Sequence, residues 1–238
     1  MSKRAEISFL FKLIRMRRQR LIFVLLTVVA LASLQCNASR KVKGAVIGAA
    51  AGGVAGGVLA KNNRAAGILI GAAVGGAAGA LIGAYMDKQA AEIRKDLEGA
   101  KVERIGEGIL VTFDSGLLFG FDSYALKEET RSNLDHLART LNKYEGTNIL
   151  VMGHTDNTGT IAYNLELSKR RAGAVMDYLE MDQVAGKRMD IEGMGESDPV
   201  ADNGNATGRQ QNRRVEVVLT ANKKIIRAAK KGDLPVEK

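Results

Sequence analysis

Few side chains in this sequence could carry acid–base, nucleophilic or metal chemistry. The chain has two histidines, His136 and His154, and a single cysteine, Cys36. His154 lies two residues before Asp156 in residues 153–159 (GHTDNTG), but no group of His and Cys has the spacing of a zinc site. No acid–base pair or activated nucleophile of the kind that a hydrolase needs stands out. We therefore expect no catalytic residue, no metal and no cofactor, and we interpret His154 as a strand-end residue that lines a pocket.

Patterns of strands and helices alternate around these residues, from about residue 107 to about residue 222. Runs of β-branched and apolar residues predict strands at residues 109–113, 148–152, 188–193 and 215–219. An apolar period of 3.6 predicts one helix after the first strand and another at about residues 162–179. This order indicates an α+β domain, a mixed sheet of about four strands with helices on one face. Asp156 would directly follow the second strand.

Five motifs in this region resemble, in the same order, those of OmpA-like peptidoglycan-binding domains. They span about 110 residues, and together they are far more specific than any one motif alone. The motifs are residues 118–127 (LFGFDSYALK), 153–159 (GHTDNTG), 164–172 (NLELSKRRA), 193–199 (GMGESDP) and 212–216 (NRRVE). The resemblance implies the fold of that family and non-covalent binding of peptidoglycan.

The resemblance also implies a ligand, the diamino acid of a peptidoglycan stem peptide, commonly diaminopimelate. The family's partners for the ammonium and carboxylate groups map to Asp156 and Arg171, with Asn164 and Thr155 assisting. These residue types suit the ligand, because Asp accepts from an ammonium and Arg offers a carboxylate two parallel donors. Charged hydrogen bonds of about 1.5–3 kcal/mol each would make the binding modest and reversible.

Asp122 and Arg213 complete the predicted site. Asp122 either touches the ligand or caps a helix that begins near Tyr124, and we favour the cap. Of Arg213 and its neighbour Arg214, we expect one to support Asp156 or the ligand and the other to face water.

Helix geometry distinguishes the two neighbouring arginines of the second helix. At 100° per residue, one face collects a stripe that we expect to enter the core. This stripe comprises Leu165, Ser168, Ala172, Val175, Met176 and Leu179. Arg170 lies opposite it and is expected to point to water, whereas Arg171 lies on its flank in one row with Asn164. The alternative for Arg171 is an exposed helix arginine or a structural ion pair.

Residues 1–35 have the pattern of a signal peptide. Residues 21–34 form a mostly apolar run of 14 residues after three arginines, which is shorter than the roughly 20 residues of a membrane-spanning helix. Cys36 follows directly and resembles the lipidated cysteine of bacterial lipoproteins, although Gln35 replaces the usual small residue. We predict acylation at Cys36, a linker over residues 36–43 and an outer-membrane anchor facing the periplasm. The alternative is a conventional cut elsewhere that leaves a free thiol.

The basic charge of the chain lies mainly outside the predicted domain. Residues 1–35 hold seven basic residues and one acidic residue, and so carry most of the net charge of +9. Much of the remaining excess lies in a basic tail, residues 223–238. A nucleic-acid-binding domain would need a basic stripe on its folded surface, so we expect no nucleic-acid partner.

Residues 44–86 consist largely of Gly, Ala and aliphatic residues, with glycines every four residues from Gly44 to Gly56 and from Gly67 to Gly83. This spacing puts the glycines on one helix face, where two backbones can approach closely. We predict a helical hairpin that lies in a membrane or packs on other copies, which would make the protein a homo-oligomer. The alternative is a flexible linker. The segment also resembles the glycine zippers found upstream of OmpA-like domains in some lipoproteins.

These predictions divide the rest of the chain into a charged helical connector at residues 87–106 and the wall-binding domain at residues 107–222. The predicted function is to tether a membrane to peptidoglycan. One alternative is a glycine hairpin that oligomerises or forms a pore, with the wall domain as its anchor. Another alternative is a peptidoglycan-active enzyme, but the sequence contains no evident acid–base pair for it. A flagellar stator subunit would need a membrane-embedded carboxylate, and residues 44–86 contain no Asp or Glu.

Overall fold

The computed structural model describes residues 63–120 and 122–234. The predicted signal peptide, Cys36 and the first glycine segment lie outside these residues. The helices are α1 (Arg64–Gly71), α2 (Gly76–Asp96), α3 (Ser115–Leu118), α4 (Glu128–Lys143), α5 (Ile161–Met181), α6 (Ala206–Asn212) and α7 (Lys223–Lys231). The strands are β1 (Lys101–Ile105), β2 (Gly108–Asp114), β3 (Thr147–Gly153), β4 (Met189–Gly193) and β5 (Arg214–Ala221).

The strands form one mixed sheet in the order β1-β2-β5-β3-β4. β3 and β4 are parallel, and the other neighbours are antiparallel. The predicted α+β class is confirmed, with five strands where about four were expected. The additional strand is β1, so the prediction of a helical connector over residues 87–106 is wrong in its second half. Gly106, with a φ of +57°, makes the tight turn that pairs Ile105 with Gly108, a backbone conformation that glycine adopts readily.

The main core lies between one face of the sheet and the helices α2, α4, α5 and α7. Alternate residues of the central strands point into it, among them Val111, Val151 and Val217. The opposite helical faces contribute Leu134, Leu137 and Leu141 from α4 and Val175 and Leu179 from α5. Burial of these apolar side chains is the main stabilising contribution to the fold.

α1 covers the other face of the sheet, which the expectation of helices on one face did not include. Leu69 is fully buried there against Leu110, Met152 and Val218. The helix begins at Asn63, whose side chain accepts a hydrogen bond from the backbone N–H of Ala66, a typical helix cap. The sheet is therefore packed on both faces.

The second glycine segment does not form one continuous helix as predicted. Gly75 and Gly76, with φ values of +69° and +64°, separate α1 from α2, so the chain passes from one face of the sheet to the other beside the edge strand β1. Within residues 63–120 and 122–234, no helix combines the length and the apolar character needed to cross a membrane.

One of the evenly spaced glycines, Gly79, instead allows the β1–β2 hairpin to approach α2. A Cβ at Gly79 would lie 2.2 Å from the Glu107 carboxylate. That carboxylate accepts hydrogen bonds from the backbone N–H groups of Val74 and Gly75, at 2.6 and 2.8 Å. Arg104 lies against Gly83 and ion-pairs with Asp87. The glycine face of α2 thus packs within the protein.

The predicted basic tail is an ordered helix for most of its length. Asn222 caps α7 by accepting hydrogen bonds from two backbone N–H groups, those of Lys224 and Ile225. Ile225 and Ile226 pack against the main core, and Gly232 ends the helix in the left-handed conformation. The prediction for the tail considered only its basic charge. It missed this helix, although apolar residues recur among the charges at helical spacing.

Candidate functional site

Asp156 lies in the loop that follows β3, as the sequence predicts. One of its carboxylate oxygens accepts a hydrogen bond from the backbone N–H of Thr158 at 2.9 Å, and the other from Arg213 Nη1 at 2.5 Å. Burial favours the protonated acid, but the hydrogen bonds from Arg213 and Thr158 outweigh it and lower the pKa of Asp156. The carboxylate is therefore charged and fixed in position.

Asn164 stands in the first turn of α5 and is buried, close to the Asp156 loop. Its side-chain amide donates to the backbone oxygen of Asp156 at 3.3 Å and to a carboxylate oxygen of Glu196 at 2.6 Å. Thr160 caps the helix just before this turn. Asn164 thereby ties the loop after β3 to the loop after β4, and Glu196 is a site residue that the sequence analysis missed although its motif was identified.

Arg171 lies two turns further along α5, with 4% of its surface exposed. Its Nε donates to the backbone oxygen of Ser123 at 3.0 Å, and its guanidinium lies 5.5 Å from the centre of the Phe119 ring. No carboxylate of the described residues forms an ion pair with it. Burial lowers the pKa of Arg171, and the charge of Asp122 partly opposes this shift. This cation is thus held in place, and its two terminal nitrogens donate no hydrogen bond to the other described residues.

The buried face of α5 differs from the predicted stripe. Leu165 is half exposed, and Met176 is only partly buried. Asn164 and Arg171 are buried instead of lying on the flank, because the loops that follow β3 and β4 and the segment before α4 cover them. Arg170 is exposed and pairs with Glu166 at 3.0 Å, as its predicted position requires.

Asp122 does not cap a helix, so the favoured interpretation is wrong. The helix after it begins at Glu128, with Lys127 at the cap position. Asp122 has a φ of +52° and accepts a hydrogen bond from the Tyr163 hydroxyl at 2.5 Å. This bond connects the segment before α4 to the first turn of α5 near Arg171, and it raises the pKa of Tyr163.

Arg213 supports Asp156, as one of the two arginines was expected to do, but the prediction that the other faces water is wrong. Arg214 is buried and bonded to Glu216 at 2.7 Å. Glu216 also lies 3.4 Å from His154 Nε2. Burial raises the pKa of Glu216, but its contacts with His154 and Arg214 outweigh that effect and lower it. His154 is fully buried in this cluster, so it does not line an open pocket.

Thr155 joins the two loops through its backbone. Its N–H donates to the backbone oxygen of Gly195 at 2.9 Å. Its buried hydroxyl has no hydrogen-bond partner among the described residues. In that same part of the chain, no group of three or more His, Cys, Asp and Glu side chains is arranged to hold a metal ion. The site thus contains the carboxylates of Asp156 and Glu196 and the guanidinium groups of Arg171 and Arg213.

Comparison with known proteins agrees with this architecture. Residues 118–213 match the OmpA family, and residues 16–87 match the YMGG-like Gly-zipper. The chain is 36% identical over 141 residues to the probable lipoprotein YiaD of Escherichia coli, covering 58% of this chain and 64% of that protein. It therefore spans slightly less than two thirds of that relative's length.

The chain spans a larger share of the length of two further relatives. The chain is 36% identical over 121 residues to the peptidoglycan-associated lipoprotein of Rhizobium meliloti, covering 51% of this chain and 69% of that protein. It is 34% identical to the solved structure of the cell wall anchor of the T6SS from Pseudomonas aeruginosa, with a TM-score of 0.50 over 58% of this chain and 97% of that one. The sequence motifs, the mixed sheet and these relatives together show that the chain belongs to the OmpA family and carries a glycine-zipper segment before its OmpA-like domain.

Proposed function

We propose that this protein binds peptidoglycan without covalent chemistry and tethers a membrane to the cell wall. The observation that carries the proposal is the state of Arg171, a buried arginine that forms no ion pair with a carboxylate of the described residues. Burying a charge without a partner is costly. A ligand carboxylate at Arg171 would supply the missing partner.

The site offers complementary groups to both charges of a zwitterionic diamino acid. Each carboxylate oxygen of Asp156 accepts one hydrogen bond within the protein and has a second lone pair for a ligand ammonium. Asn164 uses its amide N–H groups within the protein, so its carbonyl oxygen is left as an acceptor. The two Nη atoms of Arg171 can donate in parallel to a carboxylate. A diaminopimelate-type stem peptide carries these two groups on one carbon.

The relatives support binding as the proposed role and offer no support for a reaction. One is named as a peptidoglycan-associated lipoprotein and another as a cell wall anchor. Thr155 and Arg213 hold Asp156 in place, and Asp122 holds Tyr163 beside Arg171, so these residues shape the site in our proposal. All of these contacts orient charged groups, and none activates a nucleophile.

The membrane end of the tether is also a proposal. We place the lipid anchor at Cys36, in the outer membrane and facing the periplasm, because the first 35 residues resemble a signal peptide and relatives are named as lipoproteins. The first glycine segment, by its spacing, would mediate contacts between copies of the chain. Mass spectrometry of the membrane fraction, comparing wild type with Cys36→Ser, tests the anchor directly. An unmodified thiol at Cys36 in the mature wild-type protein would rule it out.

Sedimentation with purified, protein-free sacculi tests the wall end. The full chain in detergent should sediment with sacculi, and Asp156→Ala and Arg171→Ala should remain largely in the supernatant. Arg170→Ala is the matched control, because Arg170 is the adjacent arginine, is exposed and pairs with Glu166. Circular dichroism shows whether each variant is folded. A wild-type chain that stays in solution, or an Arg171→Ala variant that sediments as well as the control, would overturn the proposal.

A further inference from the structure

α7 carries a dense positive charge on its outer surface. Its nine residues, KKIIRAAKK, include five basic residues and no acidic residue. All five basic side chains are exposed, and none forms an ion pair with a carboxylate of the described residues. They are Lys223, Lys224, Arg227, Lys230 and Lys231. The helix therefore presents a positive surface that the described part of the protein does not neutralise.

Stability accounts for only part of this arrangement of charges, because only Lys230 and Lys231 lie in the last turn of α7, where the helix dipole favours a cation. Lys223 and Lys224 occupy the first turn of α7, where the helix dipole disfavours a cation. Arg227 stands four residues from Lys223 and from Lys231, a spacing at which like charges repel. The helix is held in spite of these charges by its Asn222 cap and by Ile225, which packs against Gly146. A firmly held helix with unfavourable cations in its first turn and like charges four residues apart indicates a partner that is negatively charged.

The position of α7 in the fold indicates that its partner differs from the ligand of the Asp156 site. β5 begins at Arg214, beside the Asp156 loop, and ends at Ala221, immediately before α7. Its eight residues span about 24 Å at the usual rise per residue. α7 consequently begins at the end of the sheet opposite to the loop that holds Asp156. A domain that holds peptidoglycan at one end has its basic helix at the other.

We propose that the outer face of α7 binds the surface of an anionic phospholipid membrane. This inference rests on the membrane attachment proposed above, which keeps the domain within reach of a bilayer, and it adds a second contact to that attachment. Long lysine and arginine side chains on one short helix suit a layer of headgroup phosphates. Each basic residue close to such a surface strengthens attachment by about fivefold at moderate salt, and the effect weakens as salt screens the charges.

Energy transfer from a single tryptophan to labelled lipid headgroups tests the contact in the full chain. The sequence contains no tryptophan, so Asp233→Trp, at an exposed position just after α7, provides a single tryptophan donor that can be excited selectively over the tyrosines. The reporter protein is reconstituted into phosphatidylcholine vesicles with dansyl-labelled headgroups, with and without phosphatidylglycerol. We expect transfer to increase when phosphatidylglycerol is present and to fall back when salt is added.

Charge reversal identifies the residues responsible. Lys224→Glu with Arg227→Glu in the reporter background should abolish the increase that phosphatidylglycerol causes. The matched control, Arg139→Glu with Lys187→Glu, makes the same change in net charge at exposed positions outside α7 and should retain the increase. Equal transfer with and without phosphatidylglycerol would overturn the proposal. So would a reversed variant that loses sacculus binding and keeps its lipid response, because α7 would then bind the wall.

Flotation of the same vesicles separates this inference from the anchor on which it rests. A chain that floats with phosphatidylcholine vesicles is anchored independently of α7. If the chain does not float with neutral vesicles, the proposed anchor is wrong. For a chain that does not float with neutral vesicles, flotation with phosphatidylglycerol vesicles tests α7 alone. Loss of this flotation on charge reversal would show that α7 binds anionic lipid.

Discussion

Arg213 donates a hydrogen bond of 2.5 Å to the carboxylate of Asp156, although the two residues are 57 positions apart in the sequence. The bond connects the start of the last strand to the loop after β3. It holds one oxygen of the carboxylate while the backbone of Thr158 holds the other. The acid that we propose as the ammonium partner is thus fixed by two separate segments of the chain before any ligand arrives.

This ion pair predicts how wall binding depends on pH. The pKa of Asp156 in the folded protein lies below its ordinary value of 3.8, so its contribution to stability is fully present above that value and is lost as pH falls through the lower, folded pKa. Arg213→Gln removes the main opposing effect and leaves the burial, which raises the pKa. We therefore expect sacculus binding by this variant to be lost at a higher pH than binding by the wild type.

A pH series of sedimentation assays on one batch of sacculi measures this shift, because any titration of the wall itself is then common to both proteins. NMR titration of the Asp156 carboxyl provides the direct check. Identical midpoints for the wild type and Arg213→Gln would contradict the assigned role of Arg213.

The exchange of arginine for lysine tests whether Arg171 acts as a bidentate hydrogen-bond donor to the ligand carboxylate. Lysine keeps the positive charge but loses the planar pair of donors and the bond from Nε to Ser123. We expect Arg171→Lys to weaken binding to sacculi by at least about tenfold, since one charged hydrogen bond contributes about 1.5–3 kcal/mol. Arg170→Lys should bind as the wild type does. If both lysine variants bind equally well, a positive charge at position 171 is sufficient and the planar pair of donors is not required.

The evenly spaced glycines should respond very differently to alanine. At Gly79 a Cβ would collide with Glu107, whose carboxylate is held by the backbone of Val74 and Gly75, so we expect Gly79→Ala to lower the free energy of unfolding by about 1–3 kcal/mol. At Gly71 nothing lies within 4 Å of a new Cβ, so Gly71→Ala should leave stability unchanged or raise it by up to about 1 kcal/mol. Denaturant unfolding of the two variants provides the comparison. Equal effects would mean that the close approach of Glu107 is not needed for stability.

A buried arginine far from the site should be important for folding. Arg188 donates to the backbone oxygens of Leu141, Tyr144 and Thr147 at 2.8–3.0 Å, and so closes the connection between α4 and β3. Arg188→Met fills similar space but removes the hydrogen bonds from the guanidinium to these backbone oxygens, of which that of Tyr144 keeps a bond from the Thr147 hydroxyl. We expect it to lower the free energy of unfolding by about 3 kcal/mol or more. Lys187→Met, at the exposed neighbouring position, should have little effect, and a comparable loss there would point to a general effect of this turn.

The sequence predicted the central strands and the helices α4 and α5 because their hydrophobic periods are largely regular. It failed where a tertiary contact decided the outcome. Leu165 was assigned to the core by its position on the helix wheel, but two loops cover the adjacent face and bury Asn164 instead. The break at Gly75 and Gly76 follows from the sheet edge that the chain must pass, and the strand β1 follows from pairing with β2.

The site was predicted in part for a similar reason. Asp156, Asn164 and Arg171 could be named because the motifs resemble those of a known family, and Arg213 because one of two adjacent arginines was expected to support Asp156 or the ligand. The hydrogen bond between Asp122 and Tyr163 links residues 41 positions apart, and no local sequence pattern predicts it. The burial of Arg214 depends on Glu216 and Asp198, which only the folded sheet brings to it.

The position of α1 has a mechanical consequence. A pull on the chain preceding Asn63 reaches α1 before it reaches β1, the strand at the open edge of the sheet. α1 is fastened to the far face by Leu69, by the ion pair of Arg64 with Glu192 and by the bond from the Arg64 backbone to Asp198. Tension on a loaded tether would therefore slide a packed helix across the sheet in shear, and the edge strand would be spared from unzipping one hydrogen bond at a time.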